Sequence, residues 1–145
     1  MRFSGVVEPS RSRTMSHIRS RGSRSTEKKA RAQMVRAGIR GWRMNAADIE
    51  GRPDFFFFEK KLAVFIDGCF WHGCKKCYRR PKSRQEYWDW KVRRNTKRDR
   101  QVNTLLTRKG LRPLRFWEHE LIQSPQRVIA RIQKALSERR PFQRT

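Results

Sequence analysis

The chain has 145 residues, with 37 Lys and Arg against 13 Asp and Glu, which gives a formal net charge of +24. This charge indicates a polyanionic partner, and nucleic acid is favoured over an anionic membrane because no segment forms a basic helix with a broad apolar face. No apolar run is long enough to span a membrane, and a hydrophobic content of 36% supports one modest core. We therefore expect a soluble globular domain with no membrane association, rather than a disordered basic tail.

Residues 1–25 are rich in Arg and Ser and contain one acid, Glu8. This composition predicts a flexible basic N-terminal arm. An organellar transit peptide has the same composition and stays open as an alternative. The first helix is expected to begin at Ser25 or Thr26, either of which can cap it, and to stop at Gly38.

A buried hairpin is predicted next, after a polar loop at residues 45–51. Two apolar runs, Phe55 to Phe58 and Leu62 to Ile66, are separated by a polar turn at residues 59–61. Neither run alternates with polar residues, so both strands are expected to be buried on both faces. The hairpin should therefore form the centre of the sheet.

Three elements are predicted after the hairpin: a polar helix at about residues 83–109, a strand at residues 111–117 and an amphipathic helix that begins at Ser124-Pro125. The apolar stripe of the long helix includes Asn95 and Asp99, so these two polar residues should face inward and need partners. The mixed order predicts one α/β domain at residues 26–136, in two or three layers, with a polar tail at residues 137–145.

The three cysteines lie within nine residues, as Cys69, Cys74 and Cys77. An odd number of closely spaced cysteines favours a metal site in a reducing compartment over a disulfide framework. Thiolates at this spacing are typical zinc ligands, and zinc needs a fourth. From the residues alone, His119 and His72 are both candidates for that position, and three buried free thiols are the alternative to a metal site.

Two acids are set apart from ordinary salt-bridge partners by the hairpin. Asp54 begins the first strand and Asp67 ends the second, so a turn near Lys60 brings them to the same end of the sheet. Paired carboxylates can bind Mg²⁺, which polarises a phosphodiester and acidifies a bound water. His72 could accept the proton of that water as a general base, and Glu27 is a further candidate acid.

Aromatic residues flank the cysteine cluster. Phe70 and Trp71 lie beside Cys69, and Trp88 and Trp90 follow at the start of the long helix. Such rings are often core residues. Exposed rings at this position could instead insert between base pairs, most easily at a step that a mismatch has weakened.

Several motifs together resemble the very-short-patch repair (Vsr) family of DNA mismatch endonucleases. The resemblance covers roughly residues 13–136. Its most specific part is the block that runs from Asp67 through Cys69 to Cys74. The other matching segments are Gly51-Arg52-Pro53-Asp54, Pro81-Lys82-Ser83 through Tyr87-Trp88, the pattern Lys91, Asn95, Arg98, Asp99, and Phe116-Trp117-Glu118-His119.

The resemblance implies a restriction-endonuclease-like core, which is a mixed central sheet flanked by helices. It also implies an enzyme that nicks one strand 5′ to the thymine of a T:G mismatch produced by deamination of 5-methylcytosine. By matching position, Asp54 is the Mg²⁺-binding catalytic aspartate, His72 is the catalytic histidine and Glu27 is the assisting acid.

The same resemblance assigns the metal ligands and the rings that contact DNA. Cys69, Cys74, Cys77 and His119 match the structural Zn²⁺ positions, which frees His72 for catalysis. Four residues match those that insert beside the mismatch: Met15 of the N-terminal arm, Phe70, Trp71 and Trp88. The expected partner is double-stranded DNA with a T:G mismatch. We also expect a monomer in the cytoplasm, associated with the nucleoid, and other mismatch-repair proteins are candidate partners.

The chain departs from the family pattern in places. Some members carry His where this chain has Asp67, which leaves metal binding by Asp67 open. The E-x-K motif of restriction-type nucleases is absent, since Gly68 and Cys69 follow Asp67. His119 stands where other members have Cys, and the spacing from Cys74 to Cys77 is longer than in some of them.

Two other functions are compatible with these residues. One is a non-catalytic zinc-containing module that binds distorted duplex DNA, and the other is a restriction-type endonuclease of the same fold that cuts fully paired DNA. The acids discriminate against the first, because a carboxylate such as Asp54 close to phosphates opposes binding unless a cation bridges them.

Overall fold

Four strands and four helices form the part of the chain that the structure describes, which is residues 24–69 and 73–138 of a computed structural model. In chain order they are α1 (Arg24–Arg36), β1 (Trp42–Met44), β2 (Phe55–Phe57), β3 (Leu62–Asp67), α2 (Gln85–Arg108), β4 (Arg112–Trp117), α3 (Glu118–Gln123) and α4 (Pro125–Ser137).

The strands form one mixed sheet in the order β1-β2-β3-β4. The pairs β1–β2 and β2–β3 are antiparallel, and β3–β4 is parallel. Parallel neighbours need a long crossover, which the segment containing α2 supplies. The register pairs Asp67 at the end of β3 with Trp117 at the end of β4, so both strands end at the same edge of the sheet.

Strands β2 and β3 are buried along their whole length, as the absence of polar alternation predicts. Phe58, expected in the first buried strand, instead lies in the turn after β2 and is 72% exposed. Phe55, Phe57, Val64 and other residues on one face pack with residues of α1, α3 and α4. The opposite face, which includes Phe56 and Phe65, packs against Leu106 of α2 and neighbouring apolar residues. The result is three layers, helices on both sides of a mixed sheet, and it confirms the mixed α/β prediction.

The predicted elements agree closely with the observed ones, and two short elements escaped prediction. The first helix starts at Arg24, one residue before the expected cap, and α4 starts at Pro125 as expected. Strand β1 has three residues, and only its pairing with β2 defines it. Helix α3 has six residues and follows β4 directly. Neither is long enough to show a periodic pattern of its own.

Residues 1–23 and 139–145 lie outside the described part of the chain, so the predicted basic arm and nearly all of the polar tail stay predictions. Among the described residues, no helix is both long and apolar enough to span a membrane.

Candidate active site and metal centre

Asp54 lies at the start of the central hairpin and is fully buried. Its Oδ2 accepts a hydrogen bond of 2.7 Å from the backbone N–H of Ile66 in β3. Its backbone oxygen accepts one of 3.1 Å from the N–H of Asn45, just beyond β1. A buried carboxylate is costly unless hydrogen bonds or a cation compensate its charge. The sheet therefore holds Asp54 in one position with one oxygen directed at β3.

The loop before Asp54 depends on Gly51. Its φ is +79°, and a Cβ at this position would lie 2.6 Å from Cγ1 of Val102 in α2. Only glycine satisfies both the left-handed backbone and the close approach to a neighbouring helix. Arg52 also has a positive φ, of 49°. The motif that precedes Asp54 is therefore a tight turn pressed between the sheet and α2.

Asp67 and Arg115 form an ion pair at the same end of the sheet. Nη1 of Arg115 donates to both oxygens of Asp67, at 2.9 and 3.2 Å. Both side chains are largely buried, 18% exposed for Arg115 and 9% for Asp67. From the sequence, Asp67 is a candidate second Mg²⁺ ligand, and Arg115 is not among the predicted site residues. A basic residue flanked by the apolar residues Leu114 and Phe116 within a predicted strand was the signal that could have found it.

Helix α2 presents polar residues to this ion pair, as its stripe predicted. Asn95 is buried, and Oδ1 of Asp99 lies 3.6 Å from Nη1 of Arg115. One turn later, Oδ1 of Asn103 accepts a hydrogen bond of 2.8 Å from Nε of Arg115. The expectation that Asn95 and Asp99 face inward is confirmed, and Arg115 is the partner of Asp99.

A cleft of about 470 Å³ opens above this cluster. Gly51 and Arg52 line it from the loop before β2, and Asp67 and Arg115 line it from the sheet, while α2 supplies the opposite wall, including Asp99. The turn that leads to Asp54 and the ion pair of Asp67 thus border the same concave surface.

Three cysteines and one histidine converge just beyond the strand ends. The ligand atoms of Cys69, Cys74, Cys77 and His119 all lie within 4.8 Å of one another. Nδ1 of His119 is 3.4, 3.5 and 3.3 Å from the three Sγ atoms, in chain order. Four such ligands around a tetrahedral zinc would have sulfur–nitrogen distances of about 3.6 Å. The donor set and its spacing therefore fit one tetrahedral metal ion.

The strand topology explains why these four residues meet. Since Asp67 and Trp117 are paired, Cys69 and His119 each lie two residues beyond the same edge. The loop then returns Cys74, whose backbone N–H donates to the oxygen of Cys69 at 3.0 Å. Burial raises the pKa of the Cys69 thiol to about 12. A bound cation reverses that preference, because its charge stabilises the thiolate.

Glu27 lies in the first turn of α1 and is 8% exposed. Its neighbour Thr26 donates a hydrogen bond of 2.7 Å from Oγ1 to Oε2 of Glu118, at the start of α3. Helix α1 is thereby attached to the helix that carries His119.

Trp88, predicted to insert into DNA, is 7% exposed and packs edge-on against Tyr87, with ring centroids 4.8 Å apart. Its ring is part of the protein interior here, so contact with bases would require it to leave this packing. Met15, Phe70, Trp71 and His72 lie outside the described residues, and their roles stay predictions.

Comparison with known proteins identifies the family. Residues 6–79 match the family model described as DNA mismatch endonuclease Vsr. The chain belongs to the Vsr family. It is similar to the type II nicking enzyme V.NaeI of Lentzea aerocolonigenes, with 43% identity over 125 residues, which cover 83% of this chain and 75% of the relative.

Two other relatives give the same result. The type II nicking enzyme V.HpaIIP of Haemophilus parainfluenzae is 39% identical over 104 residues, covering 70% of this chain and 73% of the relative. The DNA mismatch endonuclease Vsr of Escherichia coli K12 is 36% identical over 110 residues, covering 74% and 69%. The Vsr-family chain described here is therefore an endonuclease, a hydrolase that acts on DNA, and the predictions of family and enzyme class are confirmed.

Proposed function

We propose that the protein nicks one strand of duplex DNA 5′ to the thymine of a T:G mismatch that arises from deamination of 5-methylcytosine, and so starts very short patch repair. Membership in the Vsr family is the observation that carries this proposal. The names of two relatives as nicking enzymes support a single-strand cut. A restriction-endonuclease-like core, from residues 26 to 136, is proposed on the same grounds.

Asp54 is the proposed ligand of the catalytic Mg²⁺. The donor fits, since Mg²⁺ prefers carboxylate oxygens, and a divalent cation would offset the cost of a buried carboxylate. When bound, the cation would polarise the phosphodiester and acidify a water. The hydrogen bond from the backbone N–H of Ile66 holds Asp54 in position. His72 accepts the proton from the attacking water, and Glu27 is the assisting acid.

The cluster of Cys69, Cys74, Cys77 and His119 is the proposed Zn²⁺ site. Three sulfurs and one imidazole nitrogen are a closed structural ligand set with no open position for substrate. Its role would be to hold the loop that carries Phe70, Trp71 and His72 against the end of the sheet.

DNA binding is proposed to combine sequence-independent contacts to the DNA phosphates with wedge residues, side chains that insert between base pairs at the mismatch. The net charge of +24 supports the first part, and Phe70, Trp71, Trp88 and Met15 are the proposed wedge residues. We propose a monomer that acts at the nucleoid in the cytoplasm, with mismatch-repair proteins as candidate partners.

The test compares three end-labelled duplexes of one sequence, carrying a T:G, a T:A or a C:G pair at one position, in the presence of Mg²⁺. The wild-type protein should nick the T:G duplex on the thymine strand, and Asp54→Asn should lower the rate by about a thousandfold. The control is Asp48→Asn, which removes an exposed carboxylate that pairs with Arg43 at the surface.

Other results would indicate a different function or a different catalytic residue. Equal cutting of the paired duplexes would indicate a restriction-type endonuclease. Tight, Mg²⁺-dependent binding of the T:G duplex with no nick would indicate the non-catalytic module. An Asp54→Asn protein that cuts as fast as Asp48→Asn would contradict the assignment of Asp54.

A further inference from the structure

The end of the central sheet carries two acids that are held differently: Asp67 lines the cleft, whereas Asp54 is fully buried. Asp54 meets a backbone N–H, whereas Asp67 meets a guanidinium. Extending the β2–β3 register by one residue places Asp54 beside Phe65, and Asp67 lies on the same face of β3 two residues further on. Both carboxylates therefore lie in the layer between the sheet and α2, and both are candidate ligands for one metal ion.

Arg115 is fixed in this layer from four directions. Its Cζ lies 4.1 Å from the centroid of the Phe65 ring, and its side chain pairs with Asp67 at 2.9 Å. Asp99 and Asn103, one turn apart on α2, complete the set at 3.6 and 2.8 Å. A guanidinium is planar, stays charged and offers its donors in a rigid arrangement. These four neighbours therefore suit the side chain of arginine better than that of lysine.

The consequence concerns the metal. Because Nη1 of Arg115 contacts both oxygens of Asp67, a divalent cation bound to Asp67 would lie beside a largely buried positive charge that repels it. We infer that Arg115 is a positioning residue that pairs with the carboxylates of Asp67 and Asp99, so that Asp67 is not a ligand of the catalytic metal. Asp54 is then the strand carboxylate that binds the metal. This inference rests on the proposed function in so far as Asp54 holds that metal.

The same arrangement gives Arg115 a second role in holding the cleft together. Asp67 ends β3, whereas Asp99 and Asn103 belong to α2, so one side chain joins the two walls of the cleft. Removal of the guanidinium would take away the positive charge that Asp67 and Asp99 share, and neighbouring carboxylates of this kind recruit a cation.

The experiment counts bound Mn²⁺ on the full-length protein by the paramagnetic resonance signal of the free ion, without DNA. Asp54→Asn should weaken Mn²⁺ binding by about tenfold or more, whereas Asp67→Asn should change it by less than about threefold. Arg115→Met should bind an additional Mn²⁺ that is lost again in Arg115→Met/Asp67→Asn. Arg115→Lys should bind no additional ion, because the positive charge is kept.

Arg112→Met is the matched control, since Arg112 is on the same strand, is similarly buried and pairs with Glu138 away from the cleft. It should bind no additional ion. Circular dichroism checks that each variant is folded, and the Asp67→Asn measurement stands even where Arg115→Met is unstable. Loss of binding in Asp67→Asn as large as in Asp54→Asn would overturn the inference and leave the proposed function intact. A wild-type protein that neither binds Mn²⁺ nor nicks would refute the proposed function instead.

Discussion

Single residues decide the geometry around Asp54, and Gly51 is the clearest case. It combines a left-handed backbone with a contact to α2 that leaves no space for a methyl group. Gly38 also has a positive φ, of 75°, but a Cβ there would meet nothing within 4 Å. These two glycines therefore separate the cost of the backbone conformation from the cost of the steric contact.

We expect Gly51→Ala to lower the free energy of unfolding by about 2–4 kcal/mol, since it adds overpacking to an unfavourable φ. Gly38→Ala should cost about 1–2 kcal/mol, from the backbone alone. Urea denaturation followed by circular dichroism measures both. Equal losses in the two variants would show that Val102 moves aside without cost and that the contact with α2 is unimportant.

At the scale of elements, the parallel pairing of β3 and β4 brings together two ligands of the proposed metal site. Each strand delivers one ligand two residues past the same edge, Cys69 from β3 and His119 from the start of α3. Helix α3 is also attached to α1 by the hydrogen bond from Thr26 to Glu118. A metal at this site would therefore connect the loop, the sheet edge and two helices.

Metal removal should consequently destabilise more than the loop. We expect about one zinc ion per purified chain, and a strong chelator should lower the melting temperature by about 10 °C or more, reversibly on addition of zinc. His119→Ala should resemble the chelated protein, whereas Gln123→Ala, an exposed change on the same helix, should not. Elemental analysis and thermal denaturation provide the measurements. A metal-free protein that melts at the temperature of the untreated one would refute the site.

For the whole molecule, the charge of +24 is the dominant property. Helix α2 contributes a row of exposed basic residues on the side away from the core: Arg93, Arg94, Lys97, Arg98 and Arg100. Phosphate contacts of this kind release counterions and carry no sequence information. Most of the charge should therefore supply affinity for any duplex, and discrimination between duplexes should come from the proposed uncharged wedge residues and the proposed catalytic site.

DNA affinity should fall steeply with salt, by roughly a thousandfold between about 50 and 200 mM, and to the same extent for T:G and fully paired duplexes. The variant Lys97→Gln/Arg100→Gln should reduce the slope of log K against log salt by about 2. Lys60→Gln, at the turn on the opposite end of the hairpin, is the control and should leave the slope unchanged. Fluorescence anisotropy measures these constants. A slope unaltered by the α2 substitutions would show that the DNA lies elsewhere.

Local patterns were enough to predict the central hairpin, the long helix, the last helix and the cysteine cluster. In each, a continuous apolar run, apolar periodicity or close ligand spacing lies within a short stretch of sequence. Motif resemblance also indicated the family, which the comparisons confirm. The short elements β1 and α3 could not be predicted, because pairing with β2 defines the one and the end of β4 defines the other.

The sequence by itself determined the class of partner, the family and the candidate catalytic and metal-binding residues, because charge, spacing and motifs are properties of the chain. Only the tertiary structure decided which of those residues meet. It placed His119 within 3.5 Å of three thiols, buried Trp88 and set Arg115 against Asp67. Asp67 and Arg115 are 48 residues apart, and their contact depends on the parallel register of β3 and β4, which no local pattern encodes.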